Sequence, residues 1–514
     1  MVSEPCKSRG PRKLLKDEGN GSKTQQHPNW IAYGSDPGQW AGLTWRGEEE
    51  GEQCLALESE ALGFGTDDED DQRRRIIRVR GFVVVGDRSM GVATKRIGKR
   101  SRKDYVLEMD NDEMLNLWNH KFTQCFSSFG RPKRLFIILN PFGGKKCARK
   151  IFQNEVKPLL VAAGILYTLQ ETRYQLHAQE IAYKLDLLKY DGIVCISGDG
   201  ILVEIVNGLL QREDWDTAIK VPLGIIPAGT GNGMAKSLLD AVGEKYSISN
   251  SVFSVIRGHK RSLDVTTVMQ GVTKFFSVLM VTWGFIADVD IESEKYRWMG
   301  SARLDFYVLL RIMKLRRYHG RVQFVPAPGY EAFGEPLEHN RNGEVVSSTS
   351  AQSHGNDSPA EQGGYQGPSI CSNSLEWRYL DGPFVNVWLN NVPWSGEDIM
   401  PAPEAKFSDG YLDVVITRDC PKSTMLSLML KMNDGSHVKS PYVMYFKVKA
   451  FRLEPGQRVG NSKKGGIIDS DGEVLARGDG THECHQRSGD LMTYGPPIEM
   501  FVDKGLATIF SPKQ

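Results

Sequence analysis

Between residues 133 and 239 the sequence changes four times from a short apolar run to a helical pattern. The apolar runs are RLFIILN, ILYTLQETR, DGIVCIS and VPLGIIPAG. Strands that alternate with helices of about 10–15 residues predict a mainly parallel α/β sheet. Because ligands of such sheets bind beyond the carboxyl ends of the strands, those ends are where we expect a functional site.

Three of the four strand-to-helix turns are rich in glycine. They read NPFGGKK (140–146), SGDG (197–200) and PAGTGNG (227–233). Gly143 and Gly144 alone would be an ordinary turn, but three such turns on one edge direct backbone N–H groups at one phosphate-sized space. Polar side chains there are Asn140, Lys145, Thr230 and Asn232. Neither the GxxxxGK[ST] motif nor the HRD and DFG motifs of protein kinases occurs, so neither of those nucleotide-binding folds is supported.

The acidic residue of the second turn needs an explanation. Asp199 stands between two glycines where a strand gives way to a helix. A carboxylate repels a bare phosphate, so Asp199 makes physical sense if it handles a proton or Mg²⁺ beside the phosphate. The alternative is that Asp199 only caps a helix N-terminus.

Charge and cysteine content narrow the class of protein. Lys and Arg total 64 against 63 Asp and Glu, a net charge of +1, so no global field attracts nucleic acid. The eight cysteines are scattered singly, which argues against zinc and against a disulfide scaffold. The first residues lack an apolar segment and the longest apolar stretch, about 275–287, is too short to span a membrane. We therefore expect a cytoplasmic protein that is peripherally associated with membranes.

The composition and the apolar periodicity of the sequence divide the chain into segments. We expect a largely low-order extension over residues 1–104, an α/β domain over 105–265, and a β-rich domain over 266–510 built from short antiparallel strands. One helical stretch, 293–317, interrupts the second domain, and residues 336–374 are predicted to be a disordered insertion. The basic run KRIGKRSRK (95–103) is either a solvated linker or an attraction for anionic lipid.

The motifs together resemble a known family. NPFGGKK, SGDG with Glu204 five residues after Asp199, IPAGTGN, and WGFIADVDIESEKYR resemble the sphingosine kinases, the sphingoid long-chain-base branch of the diacylglycerol-kinase-like lipid kinases. The resemblance runs from about residue 131 to 320 and resumes in 380–416, 446–455 and 470–474. It implies a Rossmann-like domain of the NAD and diacylglycerol kinase type, followed by an antiparallel β-sandwich with one inserted helical stretch.

The resemblance also implies an activity and a set of site residues. The activity is ATP-dependent phosphorylation of the primary hydroxyl of sphingosine and related sphingoid bases, with Asp199 as general base and Mg²⁺ carried by ATP. No firm metal ligands are assigned. The implied ATP-binding residues are Asn140, Pro141, Phe142, Gly143, Gly144, Thr172, Glu204, Gly229, Thr230, Gly231, Arg297, Arg303, Asp471, Gly472 and Glu473. The implied substrate-binding residues are Ser197, Gly198, Asp199, Gly200, Asp290 and Glu294.

One position departs from the family pattern. The family often has a basic residue after Asn-Pro, whereas this chain has Phe142. A side-chain cation at the phosphates is then missing, and Lys145 or Lys146 would compensate.

The stretch 287–303 contains the feature that would select a lipid. If a helix begins near Asp290, then Asp290, Glu294 and Arg297 lie on one face. Two stacked acids repel each other by a few tenths of a kcal/mol unless a cation lies between them, and a sphingoid base provides its protonated amine. The alternative is a solvated, acidic helix start.

Two segments after residue 303 also bear on the predicted site. An apolar helix surface is either plain core or, with the strand FFSVLMV, a wall for the lipid tail. Its residues are Leu304, Phe306, Tyr307, Leu309, Leu310, Ile312 and Met313. Asp471-Gly472-Glu473 indicates a hairpin turn.

Other functions are kept open. A ceramide or diacylglycerol kinase would act on a lipid without a free amine, and a catalytically silent lipid- or nucleotide-binding regulator would need no base. The expected partners are a sphingoid base, ATP and a reversibly bound membrane surface, without nucleic acid; a homodimer is left open.

Overall fold

The computed structural model describes residues 12–14, 25–26, 42–47, 51–66, 74–85, 99–144, 146–300, 302–337, 363–368, 375–479 and 491–513. The strands are β1 Arg12–Leu14, β2 Gln25–Gln26, β3 Gly42–Gly47, β4 Gly51–Ala56, β5 Ala61–Gly65, β6 Ile76–Val85, β7 Lys99–Glu108, β8 Arg134–Leu139, β9 Leu166–Glu171, β10 Gly192–Ser197, β11 Leu223–Pro227, β12 Lys260–Gln270, β13 Thr273–Ser277, β14 Met280–Gly284, β15 Tyr318–Pro326, β16 Glu335–Pro336, β17 Arg378–Asp381, β18 Asn386–Asn390, β19 Leu412–Thr417, β20 Val443–Arg458, β21 Lys464–Ser470, β22 Glu473–Asp479 and β23 Ile498–Phe510.

The α-helices are α1 Leu57–Glu60, α2 Asp112–Ser128, α3 Ala148–Ile151, α4 Lys157–Ala162, α5 His177–Lys184, α6 Asp199–Leu210, α7 Trp215–Ala218, α8 Gly233–Asp240, α9 Ile248–Arg257, α10 Phe285–Ser293, α11 Ala302–Met313 and α12 Lys422–Leu430. A π-helical turn, Phe152–Val156, joins α3 to α4, and 3₁₀ turns lie at Leu187–Lys189, Glu294–Met299, Lys431–Asn433 and Ser436–Lys439. No helix in the described ranges is long and apolar enough to cross a membrane.

The predicted parallel sheet is confirmed. Its strand order is β9-β8-β10-β11, and every neighbouring pair is parallel. Successive side chains of a strand point to opposite faces, so Leu135 and Ile137 pack into one core cluster while Phe136 and Ile138 pack into another. Burial on both faces explains why β8, β10 and β11 are continuous apolar runs in the sequence, whereas the edge strand β9 is largely exposed. The carboxyl ends of the four strands therefore meet at one edge.

The antiparallel, β-rich second domain is also confirmed. Strands β14, β18, β19 and β20 form antiparallel neighbours, and the β21–β22 hairpin adds to β14. Aromatic and aliphatic residues fill the core cluster on one side of these strands, among them Trp283, Phe324, Phe446 and Phe451. The bounds placed between the domains from sequence stay a prediction.

The last strand connects the two domains. β23 runs antiparallel to β12 and β20, and its residue Ile509 lies opposite Leu223 of β11 in a parallel pairing. One continuous sheet therefore extends from β22 to β9.

The predicted single helical stretch is wrong in its bounds. A helix, α10, already begins at Phe285, a 3₁₀ turn follows at Glu294–Met299, and α11 starts only at Ala302. Tyr296 has non-helical torsions, and Gly300 has a φ of 64°, a value that glycine tolerates and that ends a helix. Asp290, Glu294 and Arg297 consequently do not share a continuous helix face.

Part of the N-terminal extension is ordered, which differs from the expectation for residues 1–104. β6 pairs with β5 and with β7, and the sheet packs on α2. The side chains of Ile77, Val79, Trp118 and Phe122 form a buried cluster between them. The run IIRVRGFVVVGDR (76–88) predicts a strand or hairpin and residues 109–130 predict a helix, but arginines and lysines such as Arg78 and Arg80 hide the size of this unit from composition.

The insertion predicted over residues 336–374 contains an ordered segment, 363–368. Residues 338–362 and 369–374 lie outside the described residues. The Tyr365 backbone N–H donates to the Leu210 carbonyl at 2.7 Å, and its ring packs against Trp215. The hydroxyl of Tyr365 donates to the carboxylate of Asp503. Tyr365 thus anchors this part of the insertion, together with Gln366, whose side-chain oxygen accepts from the Lys274 ammonium.

Candidate active site

The three glycine turns come together at the carboxyl edge of the parallel sheet. A Cβ atom placed on Gly229 would lie 2.3 Å from the Gly198 Cα atom, and one on Gly144 would lie 2.9 Å from the Gly229 carbonyl carbon. Side chains at these positions would push the turns apart. The Asn232 side chain stabilises the turn at 227–233, since its Oδ1 accepts from the Gly229 N–H at 3.2 Å and its Nδ2 donates to the Gly229 carbonyl at 3.0 Å.

Asp199 lies at the junction of these turns. Asp199 is buried. Its Oδ2 accepts from the Gly233 N–H at 2.7 Å, and its Oδ1 accepts from the Met234 N–H at 3.1 Å. Burial raises the pKa of Asp199 to about 7, and the nearby Asp471 carboxylate adds to the increase. The capping alternative is therefore partly right: Asp199 caps α8, a different helix from the one it begins. A carboxyl with this pKa can still accept a proton at neutral pH.

Glu204 lies beside the second turn. Its Oε2 accepts from the Ala178 N–H at 3.0 Å, at the start of α5. Burial raises the pKa of Glu204 to about 7, and Glu473 raises it further. The Gln175 side chain donates to the Glu473 carboxylate at 2.9 Å, which links the loop after β9 to the β21–β22 hairpin.

The predicted hairpin turn at Asp471 is present between β21 and β22. Asp471 has a φ of 55°, and its carboxylate accepts from the backbone N–H groups of Val278, Leu279 and Met280. Burial raises the pKa of Asp471 to about 6. A Cβ atom placed on Gly200 would lie 3.9 Å from the Asp471 carbonyl oxygen, so the hairpin of the second domain lies against the SGDG turn of the first.

Asp290, on α10, lies close to Arg303 and Glu294. Burial raises the pKa of Asp290, the Arg303 guanidinium opposes that shift, and Glu294 adds to it. Arg303 is itself buried, donates to the Ser293 hydroxyl at 2.9 Å and pairs with Glu294 at 2.5 Å. Arg303 therefore supplies part of the positive charge that was predicted to lie between Asp290 and Glu294.

Asp469 is a buried acid that the sequence analysis missed. It is 0% exposed, and among the described residues neither of its carboxylate oxygens has a hydrogen-bond partner of normal geometry. Burial, followed by the Asp290 carboxylate, raises the pKa of Asp469 well above its usual range. The signal was present in IIDSDGEV, where an acid interrupts an apolar strand. We use the name acidic row for Asp199, Asp471, Asp469 and Asp290.

Backbone N–H groups hold the turn at 140–146 and the loop after β9 in place. Asn140 Oδ1 accepts from the Phe142 N–H at 2.9 Å, while the Phe142 ring is 59% exposed. Thr172 is buried, and its N–H donates to the Leu139 carbonyl.

For the other residues that the family resemblance assigns to the site, the structure gives position and exposure. Lys145 and the Arg297 side chain lie outside the described part of the structure. Ser197 is buried, Gly200 lies in the first turn of α6, and Thr230, Gly231 and Gly472 are exposed. Pro141 and Gly143 belong to the first turn beside Asn140.

A cavity of about 910 Å³ is lined by no residue of the acidic row. Its lining includes Asp240, Arg261, Trp394 and Phe407 and none of the glycine turns. It is therefore not the tail-binding space that sequence analysis placed beside α11.

Comparisons with known proteins agree with the motifs. Residues 134–268 match the family described as Diacylglycerol kinase catalytic domain, and residues 377–488 match the YegS C-terminal NAD kinase beta sandwich-like domain. The chain is 53% identical to Sphingosine kinase 1 of Arabidopsis thaliana over 469 residues, covering 91% of this chain and 92% of that protein. The chain belongs to the sphingosine kinase family.

Other sphingosine kinases also match the chain. Sphingosine kinase 2 of Arabidopsis thaliana is 53% identical over 462 residues, 90% of this chain and 91% of that protein. Sphingosine kinase 1 of Homo sapiens is 34% identical over 361 residues, 67% of this chain and 87% of that protein. The catalytic domain and the β-sandwich are therefore the two parts expected of a lipid kinase of this family, and ATP is its phosphoryl donor.

The acids of the site carry oxygen atoms, the kind of ligand that Mg²⁺ uses. Mg²⁺ prefers oxygen ligands and keeps several waters, so one or two carboxylates plus phosphates suffice. No group of three or more His, Cys, Asp or Glu side chains in the described ranges is arranged to hold a metal by itself.

Proposed function

We propose that this sphingosine kinase family member transfers the γ-phosphoryl group of ATP to the primary hydroxyl of a sphingoid base, with Asp199 as the general base. The observation that carries the proposal is a buried carboxylate with a pKa of about 7 at the point where the glycine turns meet. ATP would lie on the backbone N–H groups of the turns. The lipid head group would lie along the acidic row toward Asp290.

The chemical step balances with these groups. The lipid hydroxyl oxygen bonds to the γ-phosphorus, the bond to the bridging oxygen of ATP breaks, and ADP leaves. The hydroxyl proton passes to the Asp199 carboxylate. A base of this kind contributes about 10²- to 10⁴-fold, so positioning by the turns must supply much of the remaining acceleration. Mg²⁺ bound to ATP would neutralise phosphate charge.

Substitution of the base tests the proposal. Asp199→Asn should lower kcat with sphingosine by about 10²- to 10⁴-fold, while ATP still binds, because the amide keeps an acceptor for α8 but cannot take a proton. The control is Asp264→Asn, at a buried acid whose carboxylate accepts from the backbone N–H groups of Gly410 and Gly505 and not from those of the glycine turns. Equal turnover by wild type and Asp199→Asn would remove Asp199 from its role.

A substrate panel tests the acceptor. Sphingosine, phytosphingosine, ceramide and diacylglycerol are compared with radiolabelled ATP. The amine-bearing lipids should be phosphorylated at higher kcat/KM, since the acidic row favours a cation. A preference for ceramide or diacylglycerol would make the chain a kinase of those lipids, and no turnover with any lipid would indicate a silent regulator.

We further propose that the enzyme docks on membranes through α11. Phe306, Leu309 and Met313 are 41%, 52% and 65% exposed and lie on one helix face, and Trp298 of the preceding turn is 82% exposed. The opposite face of α11 packs Tyr307 and Ile312 into the core. The basic run is a weaker candidate, because Arg100 pairs with Glu244 and Arg102 with Asp104.

Vesicle binding tests this surface. Phe306→Ser combined with Leu309→Ser should weaken binding to vesicles of phosphatidylcholine and phosphatidylserine by at least about tenfold, because burying one such side chain contributes about 1.5–3 kcal/mol. The matched control is Leu188→Ser, at a leucine that is 99% exposed on the other domain. Undiminished binding by the double variant would exclude α11.

A further inference from the structure

Asp469 differs from other buried acids of the second domain. Asp264 accepts two backbone N–H groups, and Asp413 is paired with Lys447 and Tyr445. Asp469 is equally buried, yet its two oxygens lack partners in the described ranges, although the Gly472 N–H approaches it. A buried carboxyl without partners disfavours the folded state unless a ligand satisfies it.

The strand register shows which way Asp469 points. In β14 its direct neighbour is Thr282, and Thr282 lies opposite Trp388 of β18, so the three side chains share one face of the sheet. Trp388 packs in the same core cluster as Val289 of α10 and Tyr307 of α11. Asp469 therefore faces the helices that carry Asp290, on the side away from the interior of the β-rich domain.

The charges around Asp469 are negative. Asp290, Asp471 and Glu473 each oppose its ionisation, in that order of effect after burial. The Arg303 guanidinium nearby is already held by Glu294 and Ser293. This environment favours a small cation with several N–H donors placed between Asp469 and Asp290.

We propose that Asp469 and Asp290 together bind the protonated amine of the lipid substrate, and that Asp469 selects a cationic head group. The inference rests on the proposed function and adds a residue to it. A primary ammonium has one positive charge and three N–H donors, enough for both carboxylates. An N-acylated base has one N–H and no charge, so it leaves Asp469 unsatisfied and binds less well.

The test compares two lipids that differ at the amine. For Asp469→Asn, KM for sphingosine should rise about tenfold or more while kcat stays within about threefold, and the preference for sphingosine over N-acetylsphingosine should fall about tenfold or more. Its melting temperature should be unchanged or higher, because the substitution removes a buried carboxyl group without a partner, whose ionisation burial opposes. Asp469→Ala is the second variant, and should show the same loss of preference if Asp469→Asn does not fold.

Asp264→Asn is the matched control, since it makes the same substitution at a buried acid that is fully bonded. It should lower the melting temperature and leave the ratio between the two lipids unchanged. An unchanged ratio in both Asp469 variants, with a changed ratio in Asp290→Asn, overturns the inference alone. An unchanged ratio in all three removes the head-group assignment, and failure of the wild type to phosphorylate sphingosine overturns the proposed function itself.

Discussion

At the scale of single residues, this site is defined by carboxyl groups that burial keeps from ionising easily. Asp199, Glu204 and Asp471 have pKa values raised to about 7, 7 and 6, with burial as the largest cause in each case. Backbone N–H donors oppose the shift at all three without cancelling it. The result is a set of acids that change charge near neutral pH, where a general base has most use.

The raised pKa of Asp199 predicts a pH profile. Only the ionised carboxylate accepts a proton, so kcat/KM for sphingosine should rise about tenfold per pH unit below pH 7 and level off above it. Steady-state rates between pH 5.5 and 9 check this. The residual rate of Asp199→Asn should lack this rise. A wild-type profile that is flat from pH 5.5 to 9 would contradict the assignment of Asp199 as base.

At the scale of elements, the break between α10 and α11 decides what Arg303 does. The 3₁₀ turn and Gly300 bring the start of α11 back against the end of α10, where Arg303 meets Glu294 and Ser293. The family resemblance assigns Arg303 to ATP phosphates. Its contacts place it with the acids of the proposed lipid site.

The two roles of Arg303 give opposite kinetic results. Arg303→Gln should raise KM for the lipid by about tenfold, because Asp290 loses the charge that favours its ionised form, and should change KM for ATP by less than about threefold. The fold should lose about 1–3 kcal/mol of stability, since Arg303 is buried. A rise in KM for ATP with an unchanged KM for the lipid would instead place Arg303 at the nucleotide.

An exposed ion pair provides the control for this substitution. Arg321 pairs with Asp381 at 2.7 Å, with side chains 42% and 54% exposed. Arg321→Gln should cost less than about 1 kcal/mol and leave both KM values unchanged.

At the scale of the whole molecule, the two domains share a core. One hydrophobic cluster contains Leu202 and Ile225 of the parallel sheet layer together with Trp388 and Val415 of the β-rich domain. β23 adds a backbone link to the same junction. The acidic row depends on this arrangement, because Asp199 belongs to the first domain and its other three members to the second.

The junction predicts coupled stability. Ile509→Ala, at a fully buried residue of β23, should lower the free energy of unfolding by about 2–5 kcal/mol. Hydrogen exchange read by segment should show faster exchange in β11 and in β12 together. Lys504→Ala, at an exposed position of the same strand, should change stability by less than about 0.5 kcal/mol. Faster exchange in one domain alone would contradict the coupling.

The sequence by itself determined the parallel sheet, the glycine turns and the position of Asp199 at a strand end, because periodicity and glycine act through neighbours in the chain. It also indicated the hairpin at Asp471. Only the tertiary structure decided that Arg303 meets Glu294, that Asp469 is buried without a partner, and that β23 returns to the first domain. Those features arise from elements far apart in sequence, and the pairing of such elements sets the burial and charge that each side chain meets.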